Sequence, residues 1–152
     1  MSDLDIVILR DPRESVKKCS LTPLRGTPGV RFLTYHHERT HDVGERILLH
    51  PEGEEFREED EGRGLLLVDC AWRRVGALTK TLNGTFHRRR LPVLKTAYPR
   101  KSHVFEDPDT GLASVEALYA ALCYLGRPAP ELLAGYRWRE EFLALNPQLS
   151  AE

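Results

Sequence analysis

Long hydrophobic runs are absent from this sequence, and no apolar stretch approaches the roughly 20 residues that a helix needs to cross a bilayer. The first residues are acidic and lack the basic flank and apolar core of a signal peptide. These absences exclude an integral helical membrane protein and predict no membrane partner. We therefore expect a soluble protein of the cytoplasm.

Cysteine is also scarce, because Cys19, Cys70 and Cys123 are the only three and no Cys-x-x-Cys pair occurs among them. A small secreted protein held together by disulfides carries a denser set. We therefore expect reduced thiols. A hydrophobic fraction of 41% over 152 residues is enough for a buried core.

Two glycine-rich phosphate-binding motifs are missing as well. The sequence has no G-x-G-x-x-G, and residues 17–20 (KKCS) lack the glycines of a P-loop. Residues 36–42 (HHERTHD) carry three histidines, but they follow a predicted strand in a polar loop that has no cysteine nearby. We predict no dinucleotide site, no P-loop site and no metal site.

Positive charge is present in one long segment, although the net charge is only −1. Residues 52–61 carry seven acidic side chains and one arginine, whereas residues 62–105, called here the cationic segment, carry ten cations and one anion. Such a zone attracts a polyanion, and a nucleic acid is the commonest one. A solvated charged surface is the alternative.

Apolar periodicity predicts an α/β protein. Strands are expected at residues 6–9, 30–35, 47–49 and 65–68, and the last run has four bulky apolar residues, as a strand buried on both faces has. Helices are expected at residues 72–82, 113–125 and 130–145. We predict a single domain over residues 1–152 with a central sheet and C-terminal helices, where residues 1–70 are rich in strand and residues 71–152 in helix.

The end of the fourth predicted strand carries the residues best placed for chemistry. Asp69 lies where ligands gather at the edge of an open α/β sheet, although it could instead cap the following helix. Trp72 is either a core side chain or a flat face for an adenine or a sulfonium. Cys70 is either a nucleophile or, as its position favours, a small buried residue.

Arginines at 88–90 follow His87 and precede an apolar segment, so they either form a solvated run or bind phosphate oxygens. Tyr98 could stack on an unpaired base. We expect RNA to lie over cationic side chains, and the candidates are Lys17, Lys18, Arg73, Arg74, Arg88, Arg89, Arg90, Arg100 and Lys101.

Six segments resemble, in the same order, motifs of one known family. They are residues 17–20 (KKCS, for K-K-C-T), 47–51 (ILLHP, for an apolar strand ending in S-P), 66–72 (LLVDCAW, for V-D-C-S-W), 90–94 (RLPVL, for R-x-L-P-x-L), 112–118 (LASVEAL, for L-S-C-V-E-A-L) and 136–146 (YRWREEFLALN, for F-K-W-G-x-x-F-L-x-x-N). The sequence resembles the small-subunit rRNA aminocarboxypropyltransferases of archaea and eukaryotes, which belong to a SPOUT-like group. Residues 96–102 and the acidic stretch after them depart from the family and resemble DTW-domain aminocarboxypropyltransferases.

The resemblance implies a SPOUT-like fold with a trefoil knot whose loops hold S-adenosylmethionine. It implies that the aminocarboxypropyl group is transferred to a uridine or pseudouridine of small-subunit rRNA, with Asp69 as a base or as a partner of the sulfonium charge. By position, the cofactor would be surrounded by Ser20, Val68, Asp69, Trp72, Leu91, Leu94, Thr110, Leu112, Ala113 and Ser114. Transfer to a tRNA uridine, methyl transfer, and a ribosome-assembly factor without catalysis are the alternatives.

Overall fold

The computed structural model describes residues 4–13, 20–97 and 112–149. It contains a mixed α/β fold in which each predicted strand is present. The strands are β1 (Ile6–Arg10), β2 (Val30–Thr34), β3 (His41–Glu55), β4 (Gly64–Asp69) and β5 (Leu82–Arg90). The α-helices are α1 (Val75–Thr79), α2 (Ser114–Tyr124) and α3 (Arg139–Leu145). Across these described ranges, no helix is long and apolar enough to span a membrane.

All five strands run parallel in one sheet, in the order β2-β1-β4-β3-β5. Parallel strands end at the same edge, so the residues that follow β1 and β4 lie side by side: the backbone N–H of Asp11 donates to the carbonyl of Asp69 at 3.0 Å. Strand β4 lies between β1 and β3, which explains its unbroken apolar run. The carboxyl edge of the sheet is where a ligand is expected.

Both faces of the sheet are covered. On one face, Ile8 and Leu65 belong to a cluster that includes Leu118 of α2 and reaches Leu149. On the other face, Leu66 belongs to a second cluster with Leu78 of α1 and side chains of β3 and β5. Burying an aliphatic side chain of this size contributes about 1.5–3 kcal/mol, so these two layers fix the sheet between the helices.

Two predicted helices are shorter than the periodicity indicates. Residues 72–82 form a 3-10 turn (Trp72–Arg74) that continues into α1, and β5 then begins. Residues 130–145 divide into a 3-10 turn (Pro130–Leu133) and α3. Gly135 lies between the last two, and glycine is about 1 kcal/mol less favourable than alanine inside a helix.

Strand β5 was not expected, and it lies in the part of the chain that was predicted to be rich in helix. Its sequence, LNGTFHRRR, is polar because it pairs only with β3 at the edge of the sheet, where most of its side chains reach solvent. An edge strand needs little apolar surface, so the arginines look like a charged loop in the sequence.

Arg89, on β5, corrects one sequence prediction. Its guanidinium donates to both carboxylate oxygens of Asp60, from Nε to Oδ2 at 2.7 Å and from Nη2 to Oδ1 at 3.1 Å. Arg89 is 7% exposed and Asp60 is 1% exposed. The prediction that Arg89 binds RNA is therefore wrong, because the side chain is buried in a bidentate ion pair that joins the acidic residues 52–61 to β5.

Replacing Arg89 with methionine should lower the free energy of unfolding by about 3–5 kcal/mol, because it leaves the buried Asp60 carboxylate without its counter-charge. Urea unfolding near neutral pH measures this loss. The double variant Arg89→Met, Asp60→Leu removes both charges and should recover most of the stability. A double variant no more stable than Arg89→Met would contradict this account.

The same pair predicts a pH dependence. Burial alone would raise the pKa of Asp60, but hydrogen bonds from Arg89 and from the backbone N–H of Arg57 lower the pKa below its usual 3.8. Its stabilising contribution is therefore complete above pH 3.8 and is lost as the pH falls through the folded-state pKa. The destabilisation by Arg89→Met should be smaller at about pH 3 than at about pH 7, and equal values would contradict the prediction.

Strand β3 is interrupted by a bulge at residues 50–53. Leu49 and Glu54 both face Arg89 of β5, so the four residues between them protrude from the ladder. A Cβ on Gly53 would lie 2.5 Å from the carbonyl carbon of Arg88, so a larger residue cannot fit against β5. The bulge brings His50 to the carboxyl edge of the sheet.

Candidate active site

A cavity of about 740 Å³ opens at the carboxyl edge of the sheet, between the ends of β3, β4 and β5 and the N-terminus of α2. Its walls are mixed, with apolar side chains interrupted by a few polar ones, as in small-molecule sites. Its described lining consists of Leu49, His50, Pro51, Glu55, Leu67, Val68, Asp69, Cys70, Trp72, Val75, Arg90, Leu91, Pro92, Val93, Leu112, Ser114 and Ala117.

Asp69 brings negative charge to this cavity. It ends β4, is 8% exposed, and its Oδ2 accepts a hydrogen bond from Nε of Arg10 at 3.3 Å. The Arg10 guanidinium also lies over the Phe32 ring, 4.9 Å from its centroid. The capping interpretation of Asp69 is wrong, because the next turn has Ala71 at its N-cap and no side-chain cap. The carboxylate is therefore a fixed, ion-paired group facing the cavity.

Aromatic rings form another wall. Trp72 lines the cavity and is only partly buried, so it is not an ordinary core tryptophan. The His50 ring meets it edge-on, with centroids 5.0 Å apart and planes at 68°. A flat indole face in the same cavity as a carboxylate suits a planar base or a positively charged sulfur.

Glu116 holds the segment after β5 against α2. Its carboxylate is fully buried and accepts four hydrogen bonds, from Thr96 Oγ1 (2.6 Å), Ala97 N (3.0 Å), Ala113 N (2.9 Å) and Tyr136 Oη (2.8 Å). No motif search for catalysis would select this residue. It positions two cavity walls, the segment that carries Leu91 and the start of α2.

Asn146 fastens the same segment from the other side. Its Oδ1 accepts from the backbone N–H of Lys95 and its Nδ2 donates to the Lys95 carbonyl, both at 2.8 Å. Its Nδ2 also donates to the Phe142 carbonyl of α3 at 2.9 Å. The C-terminal motif therefore supports the cavity through backbone contacts and contributes no lining residue of its own.

Six of the residues predicted to surround a cofactor line the cavity: Val68, Asp69, Trp72, Leu91, Leu112 and Ser114. Three others lie behind its wall. Leu94 is buried in the core, Ala113 is the N-cap of α2, and Ser20 accepts a hydrogen bond at its Oγ from the backbone N–H of Val115 at 3.0 Å. Thr110 lies outside the described residues.

The predicted RNA-binding cations fall into four groups. Arg73, Arg88 and Arg90 are exposed, and Arg90 also lines the cavity. Arg74 donates from Nε to Oδ2 of the buried Asp11 at 2.6 Å, which raises the pKa of Arg74 and commits its charge to a partner. Arg89 is buried, as described above. The remaining four lie outside the described residues: Lys17, Lys18, Arg100 and Lys101.

Several lining residues were missed, and most of them adjoin a motif already noted. His50 and Pro51 end the third predicted strand, Pro92 and Val93 lie inside residues 90–94, and Cys70 is next to Asp69. Nothing in the sequence marks Glu55 as a lining residue, because it is one of many acidic residues in a long acidic run. Within the described part of the chain, no group of three or more His, Cys, Asp or Glu side chains could hold a metal ion.

Comparison with known proteins agrees with the motifs. The family described as "Ribosome biogenesis protein, C-terminal" matches residues 47–152. The chain is 40% identical over 92 residues to a 16S rRNA aminocarboxypropyltransferase of Vulcanisaeta distributa, covering 57% of this chain and 46% of the relative. It is 31% identical over 136 residues to one of Halobacterium salinarum, covering 87% of this chain and 76% of the relative. An 18S rRNA aminocarboxypropyltransferase of Saccharomyces cerevisiae is 35% identical over 91 residues, which are 59% of this chain and 28% of the relative.

One solved structure agrees as well. The SAM-dependent rRNA:acp-transferase Tsr3 of Vulcanisaeta distributa superposes with a TM-score of 0.73 at 29% identity, covering 98% of this chain and 82% of that one. The chain spans about half the length of the first two curated relatives that it matches, 46% and 48%. The chain therefore belongs to the family of ribosome biogenesis proteins that includes the archaeal 16S rRNA aminocarboxypropyltransferases.

Proposed function

We propose that this chain transfers the 3-amino-3-carboxypropyl group of S-adenosylmethionine to a uridine or pseudouridine of small-subunit rRNA, as a cytoplasmic step of ribosome biogenesis. The observation that carries the proposal is the cavity at the carboxyl edge of the sheet, where Asp69, Trp72 and Leu112 come from three separate motifs and line one space. The names of the relatives support the choice of group and of RNA class.

The residues present fit S-adenosylmethionine. The cavity has room for a nucleoside with an amino-acid arm, apolar walls for an adenine, and the ion-paired carboxylate of Asp69 in the same lining as the Trp72 ring. Bound there, the compound would supply a sulfonium whose aminocarboxypropyl carbon is open to attack, with methylthioadenosine as the leaving group. Residues that would hold it are Val68, Trp72, Leu91, Leu112 and Ser114.

Asp69 has two roles open to it in this site. It can take the proton that the attacking ring nitrogen loses, or it can hold the positive charge of the sulfonium in place. Orientation of the two reactants against the rigid walls should supply much of the acceleration, since well-aligned groups gain on the order of 7–11 kcal/mol. The supports at Glu116 and Asn146 serve that orientation.

Isotopic labelling tests the reaction. The purified chain is incubated with unmodified rRNA and S-adenosylmethionine labelled either in the carboxypropyl arm or in the methyl group, and nucleosides are then analysed by mass spectrometry. We expect label from the arm on a uridine or pseudouridine of rRNA. Methyl label would show a methyltransferase, arm label only on tRNA would show a DTW-like activity, and no label with intact RNA binding would show an assembly factor.

The proposed RNA surface consists of the exposed cations after β4 and on β5, which are Arg73, Arg88 and Arg90. A variant of Arg88 tests it. Charge reversal, Arg88→Glu, should weaken RNA binding about tenfold at low salt and reduce the slope of log affinity against log salt by about 1. The matched control is Arg31→Glu, since Arg31 is exposed on β2, at the opposite edge of the sheet. Equal affinities for the two variants would discard this surface.

We also propose that the chain acts as one SPOUT-like domain with a trefoil knot. The parallel sheet and a core cluster that includes residues from β1 to Leu149 support the single domain. The likeness to Tsr3 over nearly the whole chain supports a shared topology. An experimental structure that traces the complete backbone tests the knot, and a chain path that never threads a loop would end that part of the proposal.

A further inference from the structure

His50 is a buried histidine that lines the cavity and that the proposed reaction does not use. It is 6% exposed and belongs to the β3 bulge, next to Pro51. A side-chain nitrogen that borders a ligand cavity is in a position to hydrogen-bond to the ligand.

One of the two ring nitrogens of His50 is already committed. The backbone N–H of Glu52 donates to Nδ1 at 3.1 Å, so Nδ1 carries no proton and acts as an acceptor. A neutral imidazole then carries its single proton on Nε2, which makes Nε2 a donor. No described residue accepts a hydrogen bond from Nε2, and Nε2 is not one of the described buried atoms that lack a partner, so it is open to the cavity that His50 lines.

The surroundings of His50 keep the ring neutral and fixed. Burial lowers its pKa below the usual 6.5, and the positive charge of Arg88 lowers it further, against a smaller opposing effect of Glu52. The edge-on contact with Trp72 and the Glu52 hydrogen bond restrain the ring in two directions. The ring therefore offers one oriented, uncharged N–H.

We propose that His50 is a cofactor-binding residue whose Nε2–H donates a hydrogen bond to an uncharged acceptor on the adenosine part of S-adenosylmethionine. An uncharged donor between Trp72 and Pro51 suits a nucleoside nitrogen or hydroxyl, since these walls are aromatic and apolar. The charged groups of the amino-acid arm and the sulfonium are better matched by the charged side chains, Asp69 among them. The inference rests on the proposed function, because it assumes that this compound occupies the cavity.

Calorimetry of the full chain with two ligands tests the assignment. S-adenosylmethionine has the arm, and 5′-methylthioadenosine has the nucleoside without the arm. His50→Leu should weaken both by about tenfold, which corresponds to about 1.4 kcal/mol. His50→Gln should recover most of the affinity, because its amide can place an N–H near the position of Nε2.

The matched control is His36→Leu. His36 accepts a hydrogen bond at Nδ1 from the backbone N–H of Glu38 at 3.0 Å, the same local motif, but it is exposed and lies outside the cavity lining. It should leave both affinities unchanged. Thermal unfolding of each variant checks that the fold is retained.

The wild-type chain gives a second readout that needs no variant. In a sample with ¹⁵N-labelled histidine, either ligand should shift the Nε2 resonance of His50 and leave Nδ1 nearly unchanged. A purely structural histidine would not respond in this way.

The outcomes are distinct. If the wild type binds both ligands while His50→Leu binds them equally well and Nε2 does not shift, the inference is overturned. If only S-adenosylmethionine loses affinity, the donor serves the arm and the assignment to adenosine is wrong. If the wild type binds neither ligand, the proposed function itself fails, and the inference fails with it.

Discussion

The Asp69→Asn variant is expected to slow single-turnover transfer by about 10²- to 10⁴-fold, the range that a positioned acid or base contributes. The substitution keeps the shape of the side chain and removes the carboxylate that faces the cavity at the end of β4. The rate is measured with saturating cofactor and rRNA, and cofactor affinity is measured separately by calorimetry. A wild-type rate with intact cofactor binding would remove Asp69 from the chemistry.

The two roles of Asp69 separate in the same experiment. If the carboxylate takes the proton, Asp69→Asn should lower the rate while cofactor affinity changes little. If it holds the sulfonium charge, the affinity for S-adenosylmethionine should fall more than that for methylthioadenosine, which has no positive charge on sulfur.

Loss of the ion pair with Arg10 needs its own control. Asp11→Asn provides it, because Asp11 is a fully buried carboxylate at the same edge of the sheet and pairs with Arg74 at 2.6 Å. Asp11 does not line the cavity. The two variants should lose similar stability, and only Asp69→Asn should lose transfer activity. Equal loss of activity would mean that the effect is structural.

Removing the Glu116 carboxylate should lower the stability about as much as removing the Arg89 guanidinium does. Glu116→Ala leaves Thr96, Ala97, Ala113 and Tyr136 without their shared acceptor, and each buried donor left unsatisfied costs about 1–3 kcal/mol. We expect the free energy of unfolding to fall by about 3–5 kcal/mol, allowing for water that reaches part of the site. Urea unfolding measures it, with the exposed Glu131→Ala as the control.

Glu116→Gln refines this prediction. The glutamine amide keeps one oxygen that accepts hydrogen bonds, but its NH₂ group faces the other donors. The glutamine variant should therefore lose less stability than the alanine variant. Cofactor affinity should fall in both variants, since Leu112 and Ser114 lie next to the Ala113 N–H that Glu116 holds. If the glutamine variant were as stable as the wild type, the carboxylate would not be the organising group.

The sequence predicts the centre of this molecule well. The run at residues 65–68 could be recognised as a central strand because burial on both faces demands continuous apolar residues. Asp69 could be placed at the ligand edge because parallel strands share their carboxyl ends. Motif resemblance then pointed to Trp72, Leu91 and Leu112, which contribute to one cavity although they lie far apart in the chain.

The periphery could not be predicted in the same way. Strand β5 is polar because it pairs on one side only. Its three arginines are adjacent in the sequence, so the sequence does not show that Arg89 is buried while Arg88 and Arg90 are exposed. Arg89 is buried by Asp60, which is 29 residues away, and Asp69 pairs with Arg10, which is 59 residues away. Such partners depend on the register of the sheet, which no local pattern contains.

Gly53 joins the wall of the cavity to the strand that carries the proposed RNA surface. Because it has no side chain, the bulge carrying His50 and Pro51 rests directly on the main chain that carries Arg88. If RNA binds at Arg88 as proposed, a movement of the Arg88 main chain should also move the bulge, because no flexible side chain lies between them. Binding of RNA at the outer edge of the sheet and binding of a nucleoside in the cavity should then influence each other through this one backbone contact.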